Sequence, residues 1–472
     1  MSPERCFGSP KGLSIRYQDK RVRVPYAGME KKKEVLTTAD KLVLIAGKAG
    51  ADRKLKFTSL IHLLNSEYLY DCYKELKRGK AAGIDGRTRE SYTDEQMQEA
   101  IRELIGLLKV KRYTPSPVRR VSIRKDNGTM RPLGIPTVID KVMQKGVTKI
   151  LEAIYEPTFL PLSYGYRPGR DAHACIKEIN HMIMQGKVNY MIEADIEGFF
   201  DHVDHQWMMR CLDQRVADPN FKWLIARFLK AGVMHEGRYE ATGEGTPQGG
   251  IISPVLANIY LHYILDLWFM KEQKQQQGYA QLVRYADDFV IGVQHRQEGE
   301  KIKEELGKRL ETFGLRLSKE KTRIMEFGRF AGENKKRRGE RKPDTFDFLG
   351  LTHYCTKTKD GRFMVRVKTS RKRINRNIGL MKTWLKQVRN ILPIERMWPI
   401  IASKLQGHYN YYGVSGNFES IQRYYRKTQY LVFKWMNRRS QKKTWNWDGF
   451  LKYLETYPLP KPKLTYALYN TW

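Results

Sequence analysis

The chain has 472 residues, enough for a sizeable buried core and for more than one folded unit. Its 86 Lys and Arg against 51 Asp and Glu give a net charge of +35, which points to a polyanionic partner such as nucleic acid. No apolar run reaches the roughly eighteen residues of a membrane span, and the N-terminus lacks a secretory core. The five cysteines are scattered and never form Cys-x-x-Cys, which excludes a zinc site or disulfide framework of that spacing. We therefore expect a cytoplasmic protein with no membrane partner.

The first predicted elements follow a Lys- and Gly-rich segment, residues 1–55, which we expect to be an extension that orders on RNA. Residues 121–136 contain two short strand-like runs separated by Asn127-Gly128. Asn-Gly between two such runs is a strong turn signal. The sequence therefore predicts a β-hairpin here.

A carboxylate at a strand end is predicted in residues 189–205, where an extended run reaches Asp195 and then turns toward a helical segment. Asp201 and Asp204 lie a few residues further on. Position alone does not say which of the three binds a ligand. We interpret Asp201 and Asp204 as acids that favour a helix N-terminus.

Two adjacent carboxylates, Asp287 and Asp288, follow Tyr285-Ala286 between apolar runs, a pattern that predicts the tip of a buried β-hairpin. A bare acid pair is also typical of a solvated turn. On a rigid hairpin it needs a cation, and hard oxygen ligands suit Mg²⁺. Together with Asp195, three acids from two segments can bridge the two ions of a phosphoryl-transfer site.

The C-terminal quarter is strongly basic and aromatic. Residues 356–472 hold 25 Lys and Arg against 5 Asp and Glu, a net +20, and six of the nine Trp. Bases interleaved with aromatic rings suit phosphate neutralisation and stacking on unpaired bases, although many of the rings could equally form a helical core. Helical periodicity is predicted over residues 369–392 and 418–440, and a basic loop over 334–343. The candidate RNA-binding residues are Arg371, Lys372, Arg373, Arg376, Arg423, Arg426, Lys427, Arg438 and Arg439.

Seven blocks in order resemble the reverse transcriptases encoded by group II introns, and the resemblance covers most of the chain from about residue 55. The blocks are residues 80–86, 113–136, 163–170, 245–254, 285–288, 315–322 and 346–350. The resemblance implies an α/β (α+β) right-hand polymerase, with fingers and palm on an antiparallel sheet and an α-helical thumb. It divides the chain into the N-terminal extension 1–55, fingers and palm 56–355, a thumb or maturase domain 356–440, and a short basic tail 441–472 that could bind DNA.

The resemblance also assigns roles at the catalytic centre. It implies that Asp195, Asp287 and Asp288 are the catalytic acids, and that the backbone carbonyl of Ile196 is a further metal ligand. The cofactor it implies is a pair of Mg²⁺ ions, with Mn²⁺ as a substitute. Lys321 is the implied proton donor to the departing pyrophosphate, and Lys319 is too near in sequence to be excluded.

Around the nucleotide, the resemblance implies that Lys125 and Arg131 clamp the triphosphate, although they could be ordinary surface bases. Phe200 is the implied gate against a ribose 2′-hydroxyl, unless it is only core beside Phe199. Gln248 is implied to support the templating pair and the nucleotide sugar. The glycines that follow it permit close approach to a ligand, although they could equally serve a plain turn. Residues 346–350 resemble the primer grip.

The implied function is an RNA-directed DNA polymerase that is also a maturase for its own intron. The implied partners are the intron RNA, an RNA template with a DNA primer, target DNA and deoxynucleotides. Because paired cysteines are missing, we expect no HNH endonuclease domain. Two alternatives are open: a stand-alone reverse transcriptase used in host defence, and a maturase that binds RNA without polymerising.

Overall fold

The computed structural model of this chain describes residues 36–124, 130–235, 238–241, 243–246, 249–340, 342–439 and 445–469. Its helices are α1 (Thr38–Ala51), α2 (Ser66–Lys74), α3 (Asp94–Lys109), α4 (Val138–Tyr155), α5 (Ala172–Gln185), α6 (His205–Leu212), α7 (Pro219–Leu229), α8 (Ser253–Leu261), α9 (Leu267–Gln275), α10 (Arg296–Glu311), α11 (Ala331–Arg337), α12 (Arg371–Val388), α13 (Ile394–Tyr412), α14 (Phe418–Met436) and α15 (Trp447–Thr456). Its strands are β1 (Val118–Arg124), β2 (Met130–Ile135), β3 (Tyr190–Ala194), β4 (Val233–His235), β5 (Arg238–Glu240), β6 (Ala280–Tyr285), β7 (Asp288–Val293), β8 (Arg323–Glu326), β9 (Thr345–Phe348), β10 (Leu351–Lys357) and β11 (Phe363–Thr369). No described helix is both long and apolar enough to cross a membrane.

The N-terminal region is helical, and polar caps begin its helices. Thr37 caps α1 and Thr93 caps α3, each in a capping box that satisfies otherwise unpaired amides. Helices α1 and α2 pack against the buried faces of α4. The described part of the predicted N-terminal extension is therefore not a loose arm, because α1 buries Ala49 against the folded body.

Two four-stranded sheets form the fingers and the palm. The palm sheet has the order β6-β7-β3-β8 and is antiparallel throughout, as the sequence predicts. The fingers sheet has the order β2-β1-β4-β5, and the predicted hairpin of β1 and β2 is present. Here β1 and β4 run parallel, which the prediction of an antiparallel sheet missed. The long connection between these strands, which contains β2, β3 and the helices α4 to α7, makes a parallel pairing possible. The mixed α/β fold fits the right-hand polymerase architecture.

The C-terminal region combines a three-stranded sheet, in the order β11-β10-β9, with a helical bundle. Helices α12 and α14 confirm the helical periodicity predicted over residues 369–392 and 418–440, in the region predicted to be the thumb. Helix α13 between them was not predicted and contains Pro399 in its interior. Asn417 fastens the sheet to the bundle, because its amide nitrogen donates to Thr369 Oγ1 at 2.9 Å and to the Tyr412 carbonyl at 2.8 Å. These hydrogen bonds join the end of β11 to the end of α13.

Two further segments differ from their predictions. The basic loop predicted over residues 334–343 begins inside α11, so its first part is helical. The described part of the predicted tail contains α15, and the Thr465 amide donates to the Gly413 carbonyl at 2.6 Å. The tail therefore packs on the thumb.

The two acids that follow Asp195 lie at helix ends. Asp204 caps α6 as expected, whereas Asp201 ends a separate 3₁₀ turn.

Candidate active site

Asp287 and Asp288 lie at the tip of the hairpin formed by β6 and β7, as predicted. Tyr285 pairs with Asp288, so the turn contains only Ala286 and Asp287. Ala286 adopts a left-handed conformation, with φ of 57°. The strands on both sides are almost entirely buried, so the acid pair is carried by the edge of a rigid sheet.

Asp195 joins this pair from the neighbouring strand. It follows β3 directly, and Ala194 is paired with Phe289, the residue after Asp288. Its carbonyl accepts a hydrogen bond from the Ser318 amide at 2.8 Å, in a bridge centred on Ile196 and Leu317. The bonds of this bridge use the residues beside Ile196 and leave the carbonyl of Ile196 unused. The three acids and this carbonyl therefore meet at one end of the palm sheet.

The electrostatics of the site favour a bound cation. Burial, followed by repulsion from Asp287 and Asp195, raises the pKa of Asp288 to about 7. Burial also raises the pKa of Asp287. Crowded carboxylate oxygens are the donors that a divalent cation prefers, and such an ion would offset their repulsion. The side chains present thus fit a hard divalent metal.

In the conformation described, Asp195 has a protein cation as its partner. Lys321 Nζ donates to Asp195 Oδ2 at 2.8 Å, and this bond raises the pKa of Lys321. Within the described ranges, no three His, Cys, Asp or Glu side chains are already grouped to hold a metal ion. A metal bound by Asp195 would therefore compete with Lys321 for the same oxygen.

The nucleotide side of the site contains Arg131 and Phe200. The positive charge of Arg131 opposes the rise in the pKa of both Asp287 and Asp288, which places this base near the acids. Phe200 is half-buried and lines a cavity of about 280 Å³ between the palm and the fingers sheet. Phe199, by contrast, is only 2% exposed and takes the core position. The predicted residues Lys125 and Gln248 lie outside the described residues.

Gly249, the residue after Gln248 in the sequence, lies close to the fingers sheet. Gly249 has a φ of 111°, and a Cβ at this position would lie 2.6 Å from the carbonyl oxygen of Gly134 in β2. The close approach that glycine permits here is thus to the fingers sheet. A close approach of a ligand to these glycines stays a prediction.

A cleft of about 910 Å³ runs from the acids to the thumb. Its walls include Asp195, Asp288 and Lys321 on one side and Lys372 and Arg373 of α12 on the other. Between them lies the predicted primer-grip hairpin, residues 346–350, which β9 and β10 form as expected. The Tyr411 hydroxyl of α13 donates to the Leu349 carbonyl at 2.9 Å, so the thumb braces this hairpin.

The predicted RNA-binding bases fall into three groups. Arg371, Lys372, Arg373 and Arg376 occupy the first turns of α12, beside the cleft, whereas Arg423, Arg426 and Lys427 lie on the exposed face of α14. Near the end of the thumb, the Arg438 guanidinium lies over the Trp435 ring at 5.6 Å. Arg439 is partly engaged within the protein, because it donates to the Leu392 carbonyl at 3.1 Å. Many thumb aromatics are core, as anticipated, including Tyr409 and Trp435.

One side chain near the acids, that of Arg284, was not predicted from the sequence. Arg284 in β6 is completely buried and ion-paired with Asp266, and it also contacts Asn258. An arginine inside an apolar strand was the available signal, because a buried guanidinium requires a partner.

Comparison with known proteins agrees with this geometry. Residues 123–353 match the family model described as reverse transcriptase (RNA-dependent DNA polymerase). The group II intron-encoded protein LtrA of Lactococcus lactis subsp. cremoris is 37% identical over 292 residues, 59% of this chain and 48% of that protein. Protein YkfC of Escherichia coli (strain K12) is 33% identical over 311 residues, 58% of this chain and 81% of that protein.

A plant relative is more distant: the nuclear intron maturase 4, mitochondrial, of Arabidopsis thaliana is 26% identical over 209 residues, 44% of this chain and 25% of that protein. The chain thus spans about half the length of LtrA and a quarter of this maturase. The matched region contains the end of β1, all of β2, the three acids, Lys321 and residues 346–350. The chain belongs to the reverse transcriptase family and is similar to group II intron-encoded proteins.

Proposed function

We propose that this protein is an RNA-directed DNA polymerase that extends a DNA primer along an RNA template with deoxynucleotides. One observation carries the proposal: Asp195, Asp287 and Asp288 converge at one end of a rigid sheet, and Asp195 and Asp288 line a cleft whose far wall carries Lys372 and Arg373. Converging carboxylates that repel one another are costly unless a cation lies between them. Nucleotidyl transfer is the chemistry that needs both features.

In the reaction, the 3′ oxygen of the primer forms a bond to the α-phosphorus of the nucleotide, and the bond from that phosphorus to the pyrophosphate oxygen breaks. Two Mg²⁺ ions held by the three acids and the Ile196 carbonyl would supply Lewis-acid activation of the 3′-hydroxyl and neutralise phosphate charge. The 3′-hydroxyl loses its proton to solvent. The Lys321 ammonium, close to Asp195, gives a proton to the departing pyrophosphate.

The remaining residues orient the substrates. Arg131, with Lys125, binds the triphosphate through charge-assisted hydrogen bonds. Phe200, on the cavity between palm and fingers, excludes a ribose 2′-hydroxyl by its bulk. Gln248 supports the nucleotide sugar. The primer-grip hairpin holds the 3′ end of the primer between the acids and α12.

We further propose that the thumb binds the intron RNA and assists its splicing and mobility, with target DNA as a later partner. The support is the line of exposed bases on α12 and α14, together with relatives named as intron-encoded proteins and maturases. Phosphate contacts by Lys and Arg give affinity without sequence preference.

The test is primer extension on an RNA template with Mg²⁺ and deoxynucleotides, comparing wild type with Asp287→Ala. Asp71→Ala is the matched control, because Asp71 is an exposed acid on α2 outside the cleft. We expect extension by wild type and control, and none by Asp287→Ala, with template–primer affinity retained. No extension by a wild-type protein that still binds intron RNA would instead favour the maturase without polymerase activity.

A further inference from the structure

A buried ion pair lies directly beneath the catalytic turn. Arg284 Nε and Nη2 donate to Asp266 Oδ1 and Oδ2 at 2.8 and 2.6 Å, and both side chains are completely buried. The cost of removing two charges from water largely cancels their attraction, so a buried pair contributes little net stability. A pair in this position therefore calls for an explanation beyond core packing.

The same guanidinium reaches the catalytic turn. Arg284 Nη1 donates to the Ala286 carbonyl at 2.9 Å. This carbonyl belongs to the peptide group that joins Ala286 to Asp287, so holding it fixes the plane from which the Asp287 side chain projects. Ala286 is left-handed, with φ of 57°, a conformation that a residue with a Cβ rarely adopts unless its surroundings hold it.

An unusual helix places the anionic partner. Asp266 ends a π-helical turn, His262–Asp266, which joins α8 to α9. The wider turn alters the helical register, and such turns are frequent at functional sites. Asn258, one turn earlier on α8, accepts a hydrogen bond from Arg284 Nη1 at 2.9 Å. Asn258 on α8 and Asp266 at the end of the π-helical turn thus accept hydrogen bonds from the same guanidinium.

A second support holds the other side of the turn. A Cβ on Gly165 would lie 2.3 Å from the Ala286 amide nitrogen, so the backbone of Gly165 is pressed against the turn. Asn258 Nδ2 donates to the Gly165 carbonyl at 2.8 Å. Asn258 therefore ties the guanidinium and the Gly165 backbone into one unit.

We propose that Arg284, Asp266 and Asn258 are positioning residues that, with Gly165, hold the Ala286–Asp287 peptide so that the two acids project at the spacing the reaction requires. They touch neither substrate nor metal. A displacement of about 1 Å at a catalytic group can cost on the order of a hundredfold in rate. The inference rests on the proposed polymerase activity.

The first experiment separates positioning from stability. A variant with both Arg284→Met and Asp266→Val removes the pair without leaving an unpaired buried charge, so it should fold. We expect its melting temperature and template–primer affinity to remain near wild type, its kcat to fall about a hundredfold, and its half-saturating Mg²⁺ concentration to rise. A double variant with wild-type kcat and Mg²⁺ requirement would overturn the proposal.

The second experiment keeps the ion pair and displaces the turn. Gly165→Ala forces the Ala286 amide to move, whereas Gly292→Ala, in β7 of the same sheet, meets the flexible side chains of Val188 and Met182. We expect Gly165→Ala to lose about a hundredfold in kcat at unchanged primer affinity, and Gly292→Ala to lose only a few-fold. Equal losses would show a general packing effect and contradict the proposal.

A readout without catalysis distinguishes this inference from the proposed function. In Arg284→Lys the charge remains but the fork that contacts Ala286 and Asn258 is lost. We expect hydrogen exchange to accelerate at residues 284–289 and to stay unchanged in β8. Local acceleration in a protein whose wild type does not polymerise would leave the positioning role intact and refute the polymerase. Unchanged exchange at the turn would refute the positioning role.

Discussion

The ammonium of Lys321 donates to Oδ2 of Asp195 at 2.8 Å, across 126 residues of sequence. The sequence does not distinguish Lys321 from Lys319 as the candidate proton donor. In the part of the chain that the structure describes, Lys319 has no such contact with an acid of the site. The lysine that protonates pyrophosphate must reach the acids, and Lys321 does so.

We therefore expect Lys321→Ala to lower kcat about 10²- to 10³-fold, the range for loss of a general acid. Lys319→Ala is the matched control and should change kcat less than about threefold, as surface substitutions usually do. Single-turnover extension with saturating nucleotide measures both. A larger loss for Lys319→Ala than for Lys321→Ala would reverse the assignment.

Phe200 and Phe199 provide a second matched pair. Their rings are 5.2 Å apart, but Phe199 is core and Phe200 lines the cavity. We expect Phe200→Ala to raise the efficiency of ribonucleotide relative to deoxynucleotide incorporation by roughly 10- to 100-fold, because a steric barrier is removed. Phe199→Leu should lower the melting temperature and leave this ratio unchanged. The ratio of kcat/KM values for the two nucleotides measures discrimination, and an unchanged ratio in Phe200→Ala would exclude the gate.

Acid sensitivity should arise in part from His353, which stacks on Phe346 with centroids 4.6 Å apart. Neither ring nitrogen of His353 has a hydrogen-bond partner among the described residues. Burial lowers the pKa of His353 to about 3. The unfolded chain takes up a proton near pH 6.5, whereas the folded chain does not, so stability falls as the pH drops from about 6.5 toward 3.

We expect His353→Phe, which keeps the stacked pair, to reduce the loss of unfolding free energy between pH 7 and pH 5 by about 2 kcal/mol. Urea denaturation at the two pH values measures this change. The exposed His181 gives the control variant, His181→Phe, for which the loss should match wild type. Equal acid sensitivity in all three proteins would contradict the assignment to His353.

The exposed bases of α14 should carry part of the affinity for RNA. Replacing Arg423, Arg426 and Lys427 together with Ala should weaken RNA binding and reduce the slope of log affinity against log salt by about 2 to 3, since each phosphate contact contributes 0.7 to 0.9. Filter binding across salt concentrations measures the slope.

The control for this variant is a triple replacement of exposed lysines that do not line the cleft. These are Lys271, Lys274 and Lys301. It removes the same net charge from α9 and α10. If the slope of log affinity against log salt falls by the same amount in both triple variants, binding reflects overall charge and the α14 face has no special role.

The sequence by itself determined the features that neighbouring residues encode. Apolar runs around Asp287 predict the hairpin, and an extended run predicts the strand that ends before Asp195. Strand alternation and turn chemistry are local, so a short stretch of chain carries the signal. Helical periodicity likewise predicted α12 and α14, whereas the hairpin at residues 346–350 was predicted from the family resemblance. Local reasoning missed α13, whose interior Pro399 argues against a helix.

Only the tertiary structure decided which side chains act together. It placed Lys321 against Asp195, separated Phe200 from the core, and packed α1 and α15 onto the folded body. It also brought Arg284 to Asp266 through a π-helical turn. Partners so far apart in sequence meet only when sheets and helices pack. Burial makes an unpaired charge costly, so a buried charged side chain requires a partner. No local sequence pattern shows which residue that partner is.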